Sequence, residues 1–307
     1  MSWLSLSLLL PIFSSVFSLS SKILLQDVQP ISYTAYILLI SGIMTIAYNI
    51  FTKKKMTFDI WGIISGFAFG LSTFGFEKAV SQGKNPGMVN AVYRTQTVLT
   101  AILSVFLLGS RLTPLSIGGI LLALAGAITI AIDSKSIEKF TGKNNDEKSD
   151  SGTEEKTDSS WIKWAMGAGL LLTVKDITAV KALRSGSTPY SYVVSELLSG
   201  ALILFAYKFL KKGTVKLQIS KDKKMMPVLA GMGLVSIDNM LWSLLLVYLM
   251  GKAPNPAYPK AITLLSVVLS AFLSKFLFPG TALDLQQWVG VFMVLGGIGT
   301  MIFANIL

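Results

Sequence analysis

Apolar and polar positions segregate along this chain on the scale of whole membrane spans. Runs of about 20 apolar residues, the length that crosses a bilayer core, alternate with short polar clusters. Ten such runs are read, at roughly 2–24, 31–51, 58–81, 87–108, 115–133, 161–183, 189–210, 226–249, 256–278 and 284–306. Backbone groups in lipid must pair within their own segment, so the runs predict helices. No alternating strand pattern occurs, which argues against a β-barrel. Several runs begin at or just after a proline: Pro30, Pro86, Pro114, Pro189, Pro227 and Pro256. Proline suits a first helical turn, where its missing N–H would have no partner. The first run lacks a basic leading region and is too long for a signal peptide, so it is read as the first transmembrane helix.

One segment breaks the pattern. Residues 134–160, "SKSIEKFTGKNNDEKSDSGTEEKTDSS", hold five lysines and seven acids with almost no large apolar groups. Such a composition cannot bury a core and reads as a disordered linker. It divides the chain into residues 1–133 and 161–307, each with five helices.

Composition then narrows the chemistry. Of 307 residues, 52% are hydrophobic and 14% charged, against roughly 25% charged in soluble domains. Cysteine and histidine are both absent, which removes thiolate metal sites, disulfides, and the commonest metal ligand and general base. No phosphate-binding G-x-x-x-x-G-K-[ST] loop occurs. The expectation is therefore no metal, no cofactor and no enzyme. The net charge of +11 reflects lysine-rich loops touching water and anionic lipid, not nucleic acid.

The two halves carry a weak internal repeat. With Asn85-Pro86 placed on Asn255-Pro256, Ala91 meets Ala261, Val98 meets Val268, Leu99 meets Leu269 and Ser104 meets Ser274. Both halves end in a glycine-rich helix, "GGILLALAGAITIAI" and "GVFMVLGGIGTMIF". Five is odd, so the copies cross the membrane in opposite senses. Inverted repeats are a signature of secondary transporters, with the substrate site near the midplane between them.

With its 5+5 count and the repeated pattern "NPG…A…VLTAILSVFLLGSRLTPLSIGGILLALAGAITI", the chain resembles the drug/metabolite transporter superfamily in its ten-helix, EamA-like form. Where the family pattern carries a glutamate after the glycine ending the fourth helix, this chain has Ser110. The resemblance implies alternating-access transport of a small polar metabolite, with the fourth and ninth helices near the centre, and cytosolic termini. The loop charges lean the other way, because the side away from the termini carries more lysine and arginine.

Six charges remain at membrane depth: Arg94, Lys175, Asp176, Glu196, Asp238 and Lys260. An arginine at a helix centre costs about 2.5–3.5 kcal/mol on insertion scales, so such residues face a cavity or a partner. Arg94 lies about eight residues, roughly 12 Å, inside its run, too deep to reach the interface easily. Lys260 is shallower, and snorkelling to the interface is its alternative. Asn90, Arg94, Thr97, Ala101 and Ser104 recur at steps of three and four, so they share a face. Lys260, Thr263, Val267, Ser270 and Ser274 do the same. The charged ends of these faces favour a pathway, and the small-residue ends favour packing.

Glu196 and Asp238 are the acidic candidates for proton coupling or ion pairing. Lys175 and Asp176 are adjacent and so point to different faces, with at least one expected to be structural. Tyr93, Tyr192 and Trp242 are candidate ligand-lining aromatics, while Tyr190 and Tyr258 at helix starts read equally well as interface anchors. Gly62, Gly66 and Gly70 form a smooth helix face, expected to pack within the chain, with a homodimer contact as the alternative to a monomer. The leading reading is a multi-pass transporter with a small-molecule substrate and the lipid bilayer as partners. The alternatives are an integral-membrane enzyme working with carboxylates alone and a non-transporting structural or regulatory membrane protein.

Overall fold

The computed structural model describes residues 2–54, 56–83, 85–131, 160–220, 224–278 and 284–304. The linker 134–160 lies outside the described residues except for its last one. The described residues form helices: α1 (Trp3–Ser7), α2 (Leu10–Leu24), α3 (Pro30–Phe51), α4 (Ile60–Gln82), α5 (Pro86–Arg94), α6 (Gln96–Leu108) and α7 (Pro114–Ala131). After the linker come α8 (Ser160–Arg184), α9 (Pro189–Lys212), α10 (Met225–Lys252), α11 (Ala257–Ile262), α12 (Leu265–Leu277) and α13 (Leu285–Phe303). Among the described residues, eight helical stretches are long and apolar enough to cross a membrane, counting α1–α2, α5–α6 and α11–α12 as one each. Helix α7 contributes a shorter apolar stretch, and α8 is long but carries Lys175 and Asp176 in its middle.

The helix starts follow the sequence signals. Pro30, Pro86, Pro114 and Pro189 are first residues of their helices. Asp59, Asn85, Thr188 and Asp284 cap the starts of α4, α5, α9 and α13 with side-chain oxygens that accept backbone N–H groups. Large apolar side chains such as Phe51, Phe106, Leu210 and Leu285 point outward. On a soluble protein such a surface marks an interaction site; here it is the face that meets lipid.

Close backbone approach is arranged by glycine. A Cβ at Gly62, Gly66 or Gly70 of α4 would strike the backbone of α9 near Tyr192, Glu196 and Gly200. The glycine face of α4 is therefore used within the chain. Likewise α7 and α13 cross at Gly119 against Gly297 and Gly126 against Gly290, where an added Cβ would meet a carbonyl oxygen. Small residues let membrane helices approach until dispersion contacts accumulate, the main attraction left when lipid replaces water.

Two spans are interrupted in the same way. Between α5 and α6 the hydrogen bonds shorten to three-residue spacing, Thr95 N–H to the Val92 carbonyl and Val98 N–H to Thr95. Between α11 and α12 the Leu264, Ser266 and Val267 amides do the same. In both, a threonine hydroxyl donates to the carbonyl three residues back: Thr95 to Val92 at 2.8 Å and Thr263 to Lys260 at 2.5 Å. These bonds satisfy backbone groups that lipid cannot. Arg94 and Lys260 each stand in the last turn of the short half-helix before the break. A cation there complements the negative end of the helix dipole.

Candidate functional site

Beside the first of these breaks, α2, α4, α5 and α10 line a small cavity. It is lined by Ser14, Phe17, Phe69, Thr73, Phe76, Tyr93, Arg94, Asp238, Asn239 and Trp242, with a volume of about 40 Å³. That admits a few waters and no metabolite.

Arg94 is 3% exposed. Its Nη2 donates to Ser14 Oγ at 2.5 Å and its Nε to Asn90 Oδ1 at 3.3 Å. Its Nη1 has no hydrogen-bond partner among the described residues. No carboxylate forms an ion pair with it there. Asn90 passes the bonding on, donating to Ser266 Oγ of α12 at 3.2 Å. Asn90 thus supports the guanidinium from behind and does not line the cavity.

Lys260 is treated differently. It does not snorkel, the alternative read from its shallow position. The side chain is fully buried, with Nζ 2.8 Å from Asp176 Oδ1. The other Asp176 oxygen accepts from Thr100 Oγ1 at 3.0 Å. Lys175, the neighbouring residue on α8, turns the other way toward Glu196 of α9, at 3.9 Å. Glu196 Oε1 also accepts from Ser65 at 2.9 Å and from Tyr192 at 3.2 Å. Tyr192 therefore belongs to this pair rather than to the cavity wall.

All three cations converge on one ring. Arg94, Lys175 and Lys260 lie 5.8, 5.3 and 5.5 Å from the centre of the Trp242 indole. Each such contact is worth about 0.5–2 kcal/mol, more when desolvated. The Trp242 N–H has no partner among the described residues. Asp238, one helical turn before it, lines the cavity with Oδ2 likewise without a partner. Tyr93 packs its ring against Phe76, with centroids 4.6 Å apart.

The remaining candidates scatter. Thr97 is buried but lies outside the lining, and Thr263 serves the helix break. Ser104 and Ser274 donate to their own helices, as the packing reading of those ends requires. Tyr190 stacks on Tyr48 near Lys54, away from the cavity. Tyr258 stacks on Trp3, with its hydroxyl 3.2 Å from Ser116.

Several residues escaped the sequence reading. Ser14, Ser18 and Ser21 form a polar stripe on α2 that meets Arg94, Ser270 and Glu77. Their spacing of four and three was the available signal. Glu77, near the end of an apolar run, is fully buried on α4. No group of His, Cys, Asp and Glu among the described residues has the geometry of a metal site.

No curated protein matches the chain. A solved crystal structure matches with a TM-score of 0.65 at 18% identity, over 97% of this chain and 98% of that one. That likeness concerns the fold alone. Residues 1–132 match the model of the EamA-like transporter family. With an EamA-like match over residues 1–132 and eight helical stretches apolar enough to cross a membrane among the described residues, the chain is a multi-pass membrane protein whose first part is similar to the EamA-like transporters.

Proposed function

We propose that this protein is a secondary transporter working by alternating access, with ten spans arranged as two inverted five-helix repeats, and that Arg94 receives an anionic group of a small polar metabolite. The observation that carries this is the guanidinium at the cavity, with one Nη unpartnered and no ion pair to a carboxylate among the described residues. An arginine fork suits a carboxylate or phosphate. An amino acid, a carboxylate or a phosphorylated metabolite fits; Asp238 and Trp242 would meet the rest of the molecule.

The packing supports the repeat. The pair α4–α9 is mirrored by α10–α3, and the pair α6–α8 by α12–α2. Helices α7 and α13, which end the two halves, pack against each other.

The test is a thermal-shift screen of purified protein against amino acids, carboxylates and phosphorylated metabolites, since a ligand of the folded state raises its melting temperature. The stabilising compound is then followed into proteoliposomes. Arg94→Ala should abolish uptake while the protein remains folded. Unchanged uptake by that variant would sink the assignment. Conversion of the compound by purified protein would favour the membrane-enzyme alternative instead.

A further inference from the structure

Among the deep carboxylates, Glu77 stands apart. Asp176 and Glu196 each face a lysine. Asp238 lines the cavity. Glu77 is fully buried and pairs with no cation among the described residues. Its Oε1 accepts from Ser21 Oγ at 3.0 Å, and that serine lies 2.9 Å from the Tyr33 hydroxyl. Its Oε2 has no partner among the described residues. A carboxyl group held this way has no cation beside it to offset the cost of burying its charge.

Its placement links it to the cavity. Phe69, Thr73 and Glu77 follow one another at four-residue spacing on α4, and the first two line the cavity. Glu77 continues that row by one turn. Helix α2 ties the two places together, because Ser14 holds Arg94 and Ser21 holds Glu77, seven residues apart on one face. A movement of α2 therefore disturbs both bonds. The charged and titratable neighbours on the packed elements are few. Tyr33 comes from α3, Tyr93 and Arg94 from α5, and Asp238 from α10. Lys22 of α2 is committed to the Val80 and Gly83 carbonyls, at 2.9 and 2.7 Å. On α8 and α9, Lys175, Asp176 and Glu196 are tied to one another or to Lys260.

We propose that Glu77, held by Ser21 and Tyr33, is a proton-binding site that keeps its proton while α2 is seated and exchanges it when α2 moves. On the transport reading the proton is then the coupling ion; where the proton binds does not depend on that reading.

The test is a pH titration of the full chain in proteoliposomes by infrared difference spectroscopy, reading the carbonyl band of protonated carboxyl groups. Wild type should show such a band at neutral pH, lost on alkalinisation. Glu77→Gln should lose one titrating component of it, and Asp238→Asn should retain that component. The same titrating band in wild type and Glu77→Gln overturns the proposal. Should Glu77→Gln not reconstitute, Ser21→Ala should shift the midpoint of that band; an unmoved midpoint overturns the proposal equally. A titrating Glu77 in a protein that transports nothing would leave this site standing and remove the transport reading.

Discussion

Arg94 and Lys260 occupy corresponding places in the two halves. Each ends a short half-helix that begins at an Asn-Pro pair and breaks at a threonine-bonded turn. Each reaches the Trp242 ring. Yet Lys260 is closed off by Asp176 at 2.8 Å, while Arg94 bonds among the described residues to neutral groups, Ser14 and Asn90. The difference lies in the neighbour. Lys260 meets α8, which supplies an acid, whereas Arg94 meets α2, which supplies serine. One half thus ties its cation to an acid on another helix, and the other leaves one Nη of its cation without a hydrogen-bond partner among the described residues.

The largest expected effect comes from breaking the closed side. Asp176→Ala leaves Lys260 buried without its acid, and removing one partner of a buried pair costs about 3–5 kcal/mol. Chemical or thermal unfolding in detergent should show that loss, with much of it recovered in Asp176→Asn/Lys260→Met. If Asp176→Ala unfolds like wild type, the pair does not hold the helices. Lys260→Ala alone should destabilise as well, so lost transport in that variant would not by itself mark a substrate contact.

On the open side the order of effects reverses. Arg94→Ala should cost about 1–3 kcal/mol, less than Asp176→Ala, because it removes the buried charge together with its two charge-assisted hydrogen bonds and leaves no unpaired ion behind. Its effect should appear in uptake. Arg94→Lys keeps the charge but loses the fork, so binding of the stabilising compound should weaken without vanishing. Equal destabilisation by Arg94→Ala and Asp176→Ala would erase the contrast between the two halves.

Smaller effects sharpen the picture. Trp242→Leu removes the ring shared by three cations, with an expected loss of at least about 1.5 kcal/mol, three contacts at the low end of about 0.5 kcal/mol each. Trp242→Phe should recover part of it, as read by melting temperature. Asn90→Ala should lower ligand affinity by about fivefold, since one hydrogen bond positioning Arg94 is worth about 1 kcal/mol. A calorimetric titration checks this, and an unchanged affinity would show that Ser14 suffices to hold the guanidinium.

Much of this was legible before the fold. The apolar runs located the helices, because a bilayer demands uninterrupted internal hydrogen bonding from any span. The prolines and caps marked their starts. Arg94, Lys260, Glu196, Asp238 and the Lys175–Asp176 pair stood out because charge at that depth is expensive. Glu77 did not, because it lies near the end of its run and looked close to water. The serines of α2 were missed because a hydroxyl is cheap enough in a membrane helix to pass unnoticed.

The sequence by itself determined where helices run, that lipid surrounds them, and which residues bring charge inward, since each of these follows from local hydropathy and spacing. Only the tertiary structure decided which acid neutralises which cation. Adjacent residues on one helix, Lys175 and Asp176, serve different partners on α9 and α11. Such pairing depends on which helices touch and at what height, and ion pairing acts over a few ångströms of space with no memory of position along the chain.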